Sequence, residues 1–209
     1  MEPITRAQLD RAKLLVGSVL TGVQYREPTG DLALNGQWDF DVAHVTQLGV
    51  QLTTDWGVIT LVSSNEFTEG GFELELLAQS PSDRQRPVEV MSMNDELPWS
   101  GLVGCTMSSA KIHWVDSAVI VGLDGKRVHV SHHFDVEGAK PFAAPLSPLA
   151  LELHFDNGGK VLLVSGEWNG LTLPITENGE GISILWDAAY FGALVPQLAR
   201  GLKKSWRAK

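Results

Sequence analysis

Two series of similar segments follow one another in the same order along the chain, and this repetition constrains the fold more than any single motif. The matched blocks are 19–23 with 119–123, 40–42 with 134–136, 50–55 with 151–156, 61–63 with 163–165, and 71–74 with 181–184. The spacing between partners varies, as loops of different length would make it. The repetition indicates a duplicated unit, which fixes the architecture without fixing an activity.

Short apolar stretches separated by turn signals predict that each unit consists of antiparallel strands. Leu151, Leu153 and Phe155 alternate with polar residues, and Asn157-Gly158-Gly159 supplies a turn before the apolar stretch 161–164. Five strands are predicted in each unit. They are 14–25, 36–46, 48–55, 58–64 and 71–78 in the first unit, and 112–123, 126–136, 149–156, 160–166 and 181–186 in the second. The predicted fold class is therefore mostly β, with two tandem copies of an antiparallel five-stranded unit.

An N-terminal helix and a C-terminal helix are predicted to flank the two units. Pro3 suits a first helical turn, and Asp187 can cap a second helix that Pro196 would kink or divide. The predicted organisation is a helix and the first unit at 1–79, a linker with one short strand near 88–91 at 80–111, and the second unit and its helix at 112–209. We expect the two units to form one compact domain by packing their apolar faces about a pseudo-twofold axis.

The charge of the chain favours some partners and excludes others. A formal net charge of −9 repels the phosphate backbone of nucleic acids and attracts a basic protein. The one cysteine, Cys105, excludes an intramolecular disulfide and is compatible with a reducing compartment. No stretch approaches the roughly 20 apolar residues needed to cross a bilayer. We therefore expect a cytoplasmic protein with no nucleic-acid or membrane partner and leave its oligomeric state open.

The C-terminal segment 200–209 is basic and contains no acidic residue. Its positive charges are Arg200, Lys203, Lys204, Arg207 and Lys209. Leu202 and Trp206 are its only large apolar residues, and terminal segments with few apolar anchors are loosely held. The segment is therefore predicted to be separable from the fold, lying on the acidic body or in solvent.

Tryptophans at turns and acidic residues around a hairpin are the candidate binding residues. Trp56 and Trp168 lie at predicted turns, where exposed aromatic side chains can anchor a binding surface. Glu66, Glu69 and Glu73 surround the last hairpin of the first unit and are candidate contacts for a basic partner. The alternative interpretation is structural: the tryptophans fold back over the sheets, and the acidic residues keep a solvated edge apart from other strands.

No catalytic constellation is evident, so we expect a protein that is not an enzyme and has no cofactor. Cys105 in an apolar context is typical of a small buried residue. His129 and His133 lie on one strand face, but positions i and i+4 of a strand are roughly 13 Å apart, too far to share a metal. A metal-dependent β-fold enzyme remains an alternative. Its ligands would include His133 and Asp135.

A second alternative is a ligand-binding barrel. Gly36-Gln37-Trp38 is similar to the Gly-x-Trp motif of lipocalin-type barrels. That resemblance implies a closed antiparallel barrel that holds a small molecule inside. The motif has no counterpart in the second unit.

The second-unit hairpin also resembles a pattern found in other proteins. Its Leu-x-Leu-x-Phe-Asp-Asn-Gly segment at 151–158, followed by Val-Leu-Leu-Val at 161–164, is similar to duplicated β-hairpin segments of small bacterial proteins of unassigned activity. Some of those are immunity proteins that neutralise a toxin. The resemblance implies an intracellular binding protein without a cofactor. The function we expect is recognition of a basic protein, which in the immunity-type case is a toxin.

Overall fold

The computed structural model describes residues 3–29, 43–64, 73–78, 88–116, 119–121, 127–129, 146–165, 181–186 and 205–207. These residues are mostly β, as the sequence predicts, and contain one α-helix, α1, at Pro3–Leu15. None of the helices among them is long and apolar enough to cross a membrane. The helix predicted after Asp187 lies outside the described residues.

The strands are numbered along the chain. They are β1 (Leu20–Pro28), β2 (Ala43–Thr46), β3 (Gly49–Thr54), β4 (Val58–Ser64), β5 (Glu73–Leu77), β6 (Val88–Ser92), β7 (Met107–Asp116), β8 (Val119–Val121), β9 (Arg127–His129), β10 (Leu146–Phe155), β11 (Lys160–Ser165), β12 (Ile182–Leu185) and β13 (Ser205–Arg207). The first sheet has the order β5-β4-β3-β1-β6, and the second has the order β13-β7-β10-β11-β12-β2. β8 and β9 form a separate pair.

The first and second sheets repeat one arrangement of strands. The series β5-β4-β3-β1-β6 in the first corresponds, position by position, to β12-β11-β10-β7-β13 in the second. Cross-strand partners recur as well: Tyr25 pairs with Val50 in the first sheet, and Ile112 pairs with Leu151 in the second. β2 is an addition to the second sheet, where it pairs with β12.

A β-bulge falls at the same place in both sheets. The register skips Thr21 where β1 pairs with β3, and it skips Ser108 where β7 pairs with β10. A bulge inserts one extra residue and increases the local twist. Strand pairing alone does not require a bulge at this position. The two sheets therefore share the position of a bulge as well as their strand order.

The two sheets meet at an antiparallel bridge between Val19 and Thr106. Val19 directly precedes β1, and Thr106 directly precedes β7, so the bridge joins equivalent residues. The flanking hydrogen bonds are reciprocal, from Leu20 N to Cys105 O at 3.0 Å and from Met107 N to Ser18 O at 2.9 Å. The bridge therefore lies directly before the corresponding strand of each sheet.

Two glycines mark the entry to this bridge. Gly17 and Gly104 stand two residues before Val19 and Thr106, and their φ angles are 84° and 90°. This left-handed conformation is strained for residues with a side chain, which explains glycine at both positions. The amide of Gly17 donates to Met107 O and that of Gly104 to Leu20 O, so both turns connect one sheet to the other.

One apolar core joins the two sheets and the helix. The inward residues of both sheets lie in a single cluster with Ala12 and Leu15 of α1. Its largest fully buried side chains include Trp99 and Tyr25. Burial of apolar surface contributes roughly 25 cal/mol per Å², so this cluster is the main source of stability.

Cross-strand pairing supports part of the sequence alignment. Val50 pairs with Leu61 in the first sheet, and Leu151 pairs with Leu163 in the second. The blocks that contain these residues were matched in this same register. They therefore occupy equivalent places in the two sheets.

Two other matched blocks are wrong in detail. Leu76 pairs with Leu61, and Ile184 pairs with Leu163, so the match of 71–74 with 181–184 is two residues out of register. The match of 19–23 with 119–123 also fails, because the counterpart of β1 is β7, whereas β8 lies in the separate pair.

Three segments pair differently from the prediction. β2 falls in the segment assigned to the first unit but joins the second sheet. The predicted linker 80–111 contains the expected short strand as β6, but β6 pairs with β1 in the first sheet, and the linker also contains a short 3-10 helix at Trp99–Gly101 and the beginning of β7. Ser205–Arg207 of the basic C-terminal segment form β13 and pair with β7, so at these residues the segment extends the second sheet.

Candidate functional site

Trp56 lies at the tip of the β3–β4 hairpin, and 44% of its surface is exposed. Thr54 N donates to Gly57 O at 2.7 Å and closes the turn. Asp55 attaches the turn to the bridge, since Val19 N donates to Asp55 Oδ1 at 3.0 Å. The hydrogen bonds that hold this turn therefore do not use the indole of Trp56.

The equivalent turn of the second sheet uses its side chains differently. Thr106 N donates to Asp156 Oδ1 at 3.2 Å, which repeats the role of Asp55. Asn157 follows, and its Oδ1 accepts from Gly159 N at 2.9 Å while its Nδ2 donates to Gly101 O at 2.9 Å. Asn157 thus stabilises its turn, whereas Trp56, within the described residues, makes no side-chain hydrogen bond.

The other predicted binding residues are described only in part. Trp168, Glu66 and Glu69 lie outside the described residues. Glu73 is the first residue of β5, at one edge of the first sheet. Of the predicted binding side chains, Trp56 is therefore the one whose surroundings the structure describes.

A pair of glutamates at the opposite edge of the first sheet was not predicted. Glu27 of β1 pairs directly with Glu89 of β6. Glu27 is buried, and Gln47 N donates to both of its carboxylate oxygens at 3.3 Å. Burial raises the pKa of Glu27 and outweighs the hydrogen bonds from the Thr46 side chain and the Gln47 amide, which lower it, and the charge of Glu89 raises it further. Two like charges therefore face each other across this pair of strands.

A second polar cluster lies on β7 and β10. Glu152 accepts from His113 Nε2 at 2.7 Å and from His154 Nε2 at 2.6 Å, and Lys111 Nζ lies 3.7 Å from its Oε2. Burial alone would raise the pKa of Glu152. The hydrogen bonds from the two histidines and the nearby charge of Lys111 outweigh burial and lower the pKa to about 2. Glu152 is therefore ionised across the ordinary pH range.

The first sheet carries a neutral pair at the corresponding positions. Gln24 of β1 lies opposite Gln51 of β3, in the same way as Lys111 lies opposite Glu152 in the second sheet. Gln51 Nε2 donates to Gln24 Oε1 at 2.8 Å. The fold therefore does not require ionisable residues at these positions.

The arrangement of the Glu152 cluster limits its use as a catalytic base or as a metal site. Both imidazoles direct Nε2 to the carboxylate, and Nδ1 of the fully buried His113 has no hydrogen-bond partner in the part of the chain that the structure describes. An imidazole oriented by a carboxylate can act as a base or a metal ligand. Within the described residues, however, no group of three His, Cys, Asp or Glu side chains could hold a metal ion.

A third polar cluster connects the two sheets inside the core. Trp99 Nε1 donates to Tyr25 Oη at 2.6 Å, and Tyr25 Oη lies 2.7 Å from His44 Nδ1. Because the indole can only donate, the tyrosine hydroxyl accepts from Trp99, and the same oxygen is within hydrogen-bonding distance of His44 Nδ1. His44 also packs edge-on against Trp186, with ring centroids 4.3 Å apart. Tyr25, His44 and Trp99 are buried, whereas Trp186 is half-buried at the edge of the core.

The candidate catalytic residues do not assemble within the described part of the chain. Cys105 is half-buried, and its thiol lies 3.7 Å from Gly101 O. His129 ends β9, while His133 and Asp135 lie outside the described residues.

Sequence inspection missed the Glu152 and Tyr25 clusters because their members are distant in the chain. His113 and Glu152 are separated by 39 residues, and Tyr25 and Trp99 by 74. One signal was available for the first cluster: Glu152 and His154 alternate with Leu151 and Leu153 and so share the outward face of one strand.

No protein-family model matches the chain, and no curated protein or solved structure is similar to it.

Proposed function

We propose that this protein binds a basic protein partner through an acidic surface, with Trp56 as an apolar anchor. The observation that carries the proposal is the contrast between the two hairpin tips. Asn157 is engaged in holding its turn, whereas Trp56 is exposed and takes no part in closing its own. Binding energy at protein interfaces is concentrated in a few residues, and tryptophan is enriched among them.

The charge of the chain supports the choice of partner. A net charge of −9 attracts a basic protein and accelerates its encounter. We propose that Glu66, Glu69 and Glu73 contribute to this attraction and that Trp168 is a second anchor. An immunity-type function is the special case in which the basic partner is a toxin and the complex forms in the cytoplasm.

We also propose that the two sheets are copies of one unit. Their common strand order, the bulges at Thr21 and Ser108, and the bridge between Val19 and Thr106 support a duplication. The copies have since diverged at the residues that face outward. In this proposal the first copy carries the binding hairpin.

The alternative of a lipocalin-like, ligand-binding barrel has less support than the protein-binding proposal. The described strands form sheets with two ends rather than a closed ring, and one apolar cluster joins them. The metal-enzyme alternative would depend on His133 and Asp135 together with ligands from elsewhere in the chain.

The proposal is tested by capturing partners from the native host and measuring their binding kinetics. We expect a basic protein whose association rate falls as salt rises, because exposed charges are screened beyond about 8 Å at physiological ionic strength. Replacing Glu66, Glu69 and Glu73 by glutamine should slow association, and Trp56→Ala should accelerate dissociation. Leu97→Ala is the control, since Leu97 is 75% exposed and lies away from the hairpin in sequence. Recovery of only a small apolar molecule would contradict the proposal.

A further inference from the structure

β6 is an exposed strand at one end of the first sheet. It pairs with β1 on one side, and among the described residues no strand pairs with its other side. Glu89, Val90 and Ser92 are exposed, and 45% of the surface of Val90 is accessible. An apolar β-branched residue in this position leaves an edge that another strand can extend.

The backbone of β6 is directed so that it can receive a further strand. Met93 N donates to Val23 O of β1 at 2.9 Å. Because backbone groups of successive strand residues point to opposite sides, the amides of Glu89 and Met91 point toward β1. Those of Val90 and Ser92 therefore point toward the open edge. Main-chain groups directed in this way bind an added strand in many peptide complexes.

The charge on this edge indicates what kind of strand would bind. Glu27 and Glu89 lie opposite each other, and like charges in that position destabilise a sheet. Within the described residues no basic side chain pairs with either carboxylate. A residue opposite Glu89 on an added strand would lie on the same face, with Cβ atoms about 4.5–5.5 Å apart. A lysine or arginine there would lie beside Glu89 and offset part of the repulsion between the two carboxylates.

We infer that β6 is a docking edge for a basic β-strand of the partner protein. The inference rests on the proposed function and adds to it a second contact surface and a mode of binding. A second copy of the chain fits this edge less well, because two bodies of charge −9 repel each other.

The inference is tested with a synthetic peptide of alternating lysine and valine and with a matched peptide of alternating glutamate and valine. Binding to the full chain is followed by amide hydrogen exchange. We expect the lysine peptide to slow exchange at Val90 and Ser92 and the glutamate peptide to leave it unchanged. Protection by both peptides, or protection confined to the Trp56 hairpin, would overturn the inference.

Two substitutions separate the contribution of charge from that of the backbone. Glu89→Gln should weaken binding of the lysine peptide by about two- to fivefold, the scale of a cross-strand charge pair. Val90→Pro removes an amide directed at the open edge and should abolish the protection at Ser92. Glu96→Gln is the matched control, because Glu96 is an exposed acid outside β6, and it should bind the peptide as the wild type does. Equal binding by Glu89→Gln and wild type would contradict the inference.

Failure of the inference can be distinguished from failure of the proposed function. If Trp56→Ala weakens binding of the captured partner while Glu89→Gln and Val90→Pro do not, the docking edge is wrong and the proposed function stands. If the lysine peptide docks on β6 but the host yields no protein partner, the edge stands and the proposed function fails. Dimerisation of the chain with protection at Val90 would show that the edge binds a second copy instead.

Discussion

Val19 and Thr106 form an antiparallel bridge although they hold the same position in the two sheets, each directly before the first strand of its series. Each amide is bound by an aspartate from its own hairpin turn, Val19 by Asp55 and Thr106 by Asp156. The bridge thus brings together the residues that precede β1 and β7 and the two hairpin turns that contain Asp55 and Asp156. The Trp56 hairpin is anchored at this point.

The two aspartates should contribute equally to stability. Asp55→Ala and Asp156→Ala each remove a carboxylate that accepts a backbone amide, and each should lower the free energy of unfolding by about 1 kcal/mol. Chemical denaturation measures both effects. Asp95→Ala is the control, because Asp95 is exposed and lies outside both turns. A loss for one aspartate and none for the other would contradict their equivalence.

Gly49 should not tolerate a side chain. Its φ is 143°, and a Cβ there would clash with the backbone oxygen of Leu61 on the neighbouring strand. Gly49→Ala should therefore cost at least about 2 kcal/mol of unfolding free energy. Gly101→Ala is the matched control, with open space around the added atom, and should change stability by less than about 0.5 kcal/mol. Equal stability of the two variants would show that β3 and β4 are spaced differently.

Removing the hydroxyl of Tyr25 should be costly. In Tyr25→Phe, two hydrogen bonds inside the core are broken, the one from the Trp99 indole to the hydroxyl and the one between the hydroxyl and His44 Nδ1. The loss of these two buried hydrogen bonds should cost about 2–4 kcal/mol of unfolding free energy. The cost should be visible in urea denaturation. A loss below about 0.5 kcal/mol would mean that water reaches the Trp99 indole and His44.

Glu152 should stabilise the fold in a pH-dependent manner. Its pKa in the folded protein is about 2, below its ordinary value of 4.5. The stabilisation is therefore fully present above the ordinary value and is lost as pH falls toward the folded value. The difference in unfolding free energy between wild type and Glu152→Gln should narrow by roughly 2–3 kcal/mol between pH 6 and pH 2. A difference that does not change with pH would contradict the described hydrogen bonds.

The hairpins were predictable because their signals are local. In β10, apolar residues alternate with polar ones, a glycine-rich turn follows, and β11 is continuously apolar over 161–164. The pairing of Leu151 with Leu163 follows from the position of that turn. The same periodicity explains the error in the last matched block. A shift of two residues keeps every apolar side chain on the inward face, so the pattern cannot distinguish Leu74 from Leu76 as the counterpart of Ile184.

Other features could not be predicted from local patterns. The bulge at Ser108 interrupts the alternation between Met107 and Ala110, which conceals the beginning of β7. β2 pairs with β12, far along the chain, and no local signal specifies that partner. The Tyr25 and Glu152 clusters likewise depend on which strands become neighbours.

The most direct test of the central claim compares Trp56→Ala with wild type in two measurements on the same protein. If Trp56 is a binding anchor, the free energy of unfolding should change by less than about 0.5 kcal/mol. Dissociation of the captured partner should meanwhile accelerate by about tenfold or more, since losing an anchor costs more than 1 kcal/mol. A loss of several kcal/mol in stability with unchanged dissociation would contradict the claim, because it would show that the indole folds back onto the sheet.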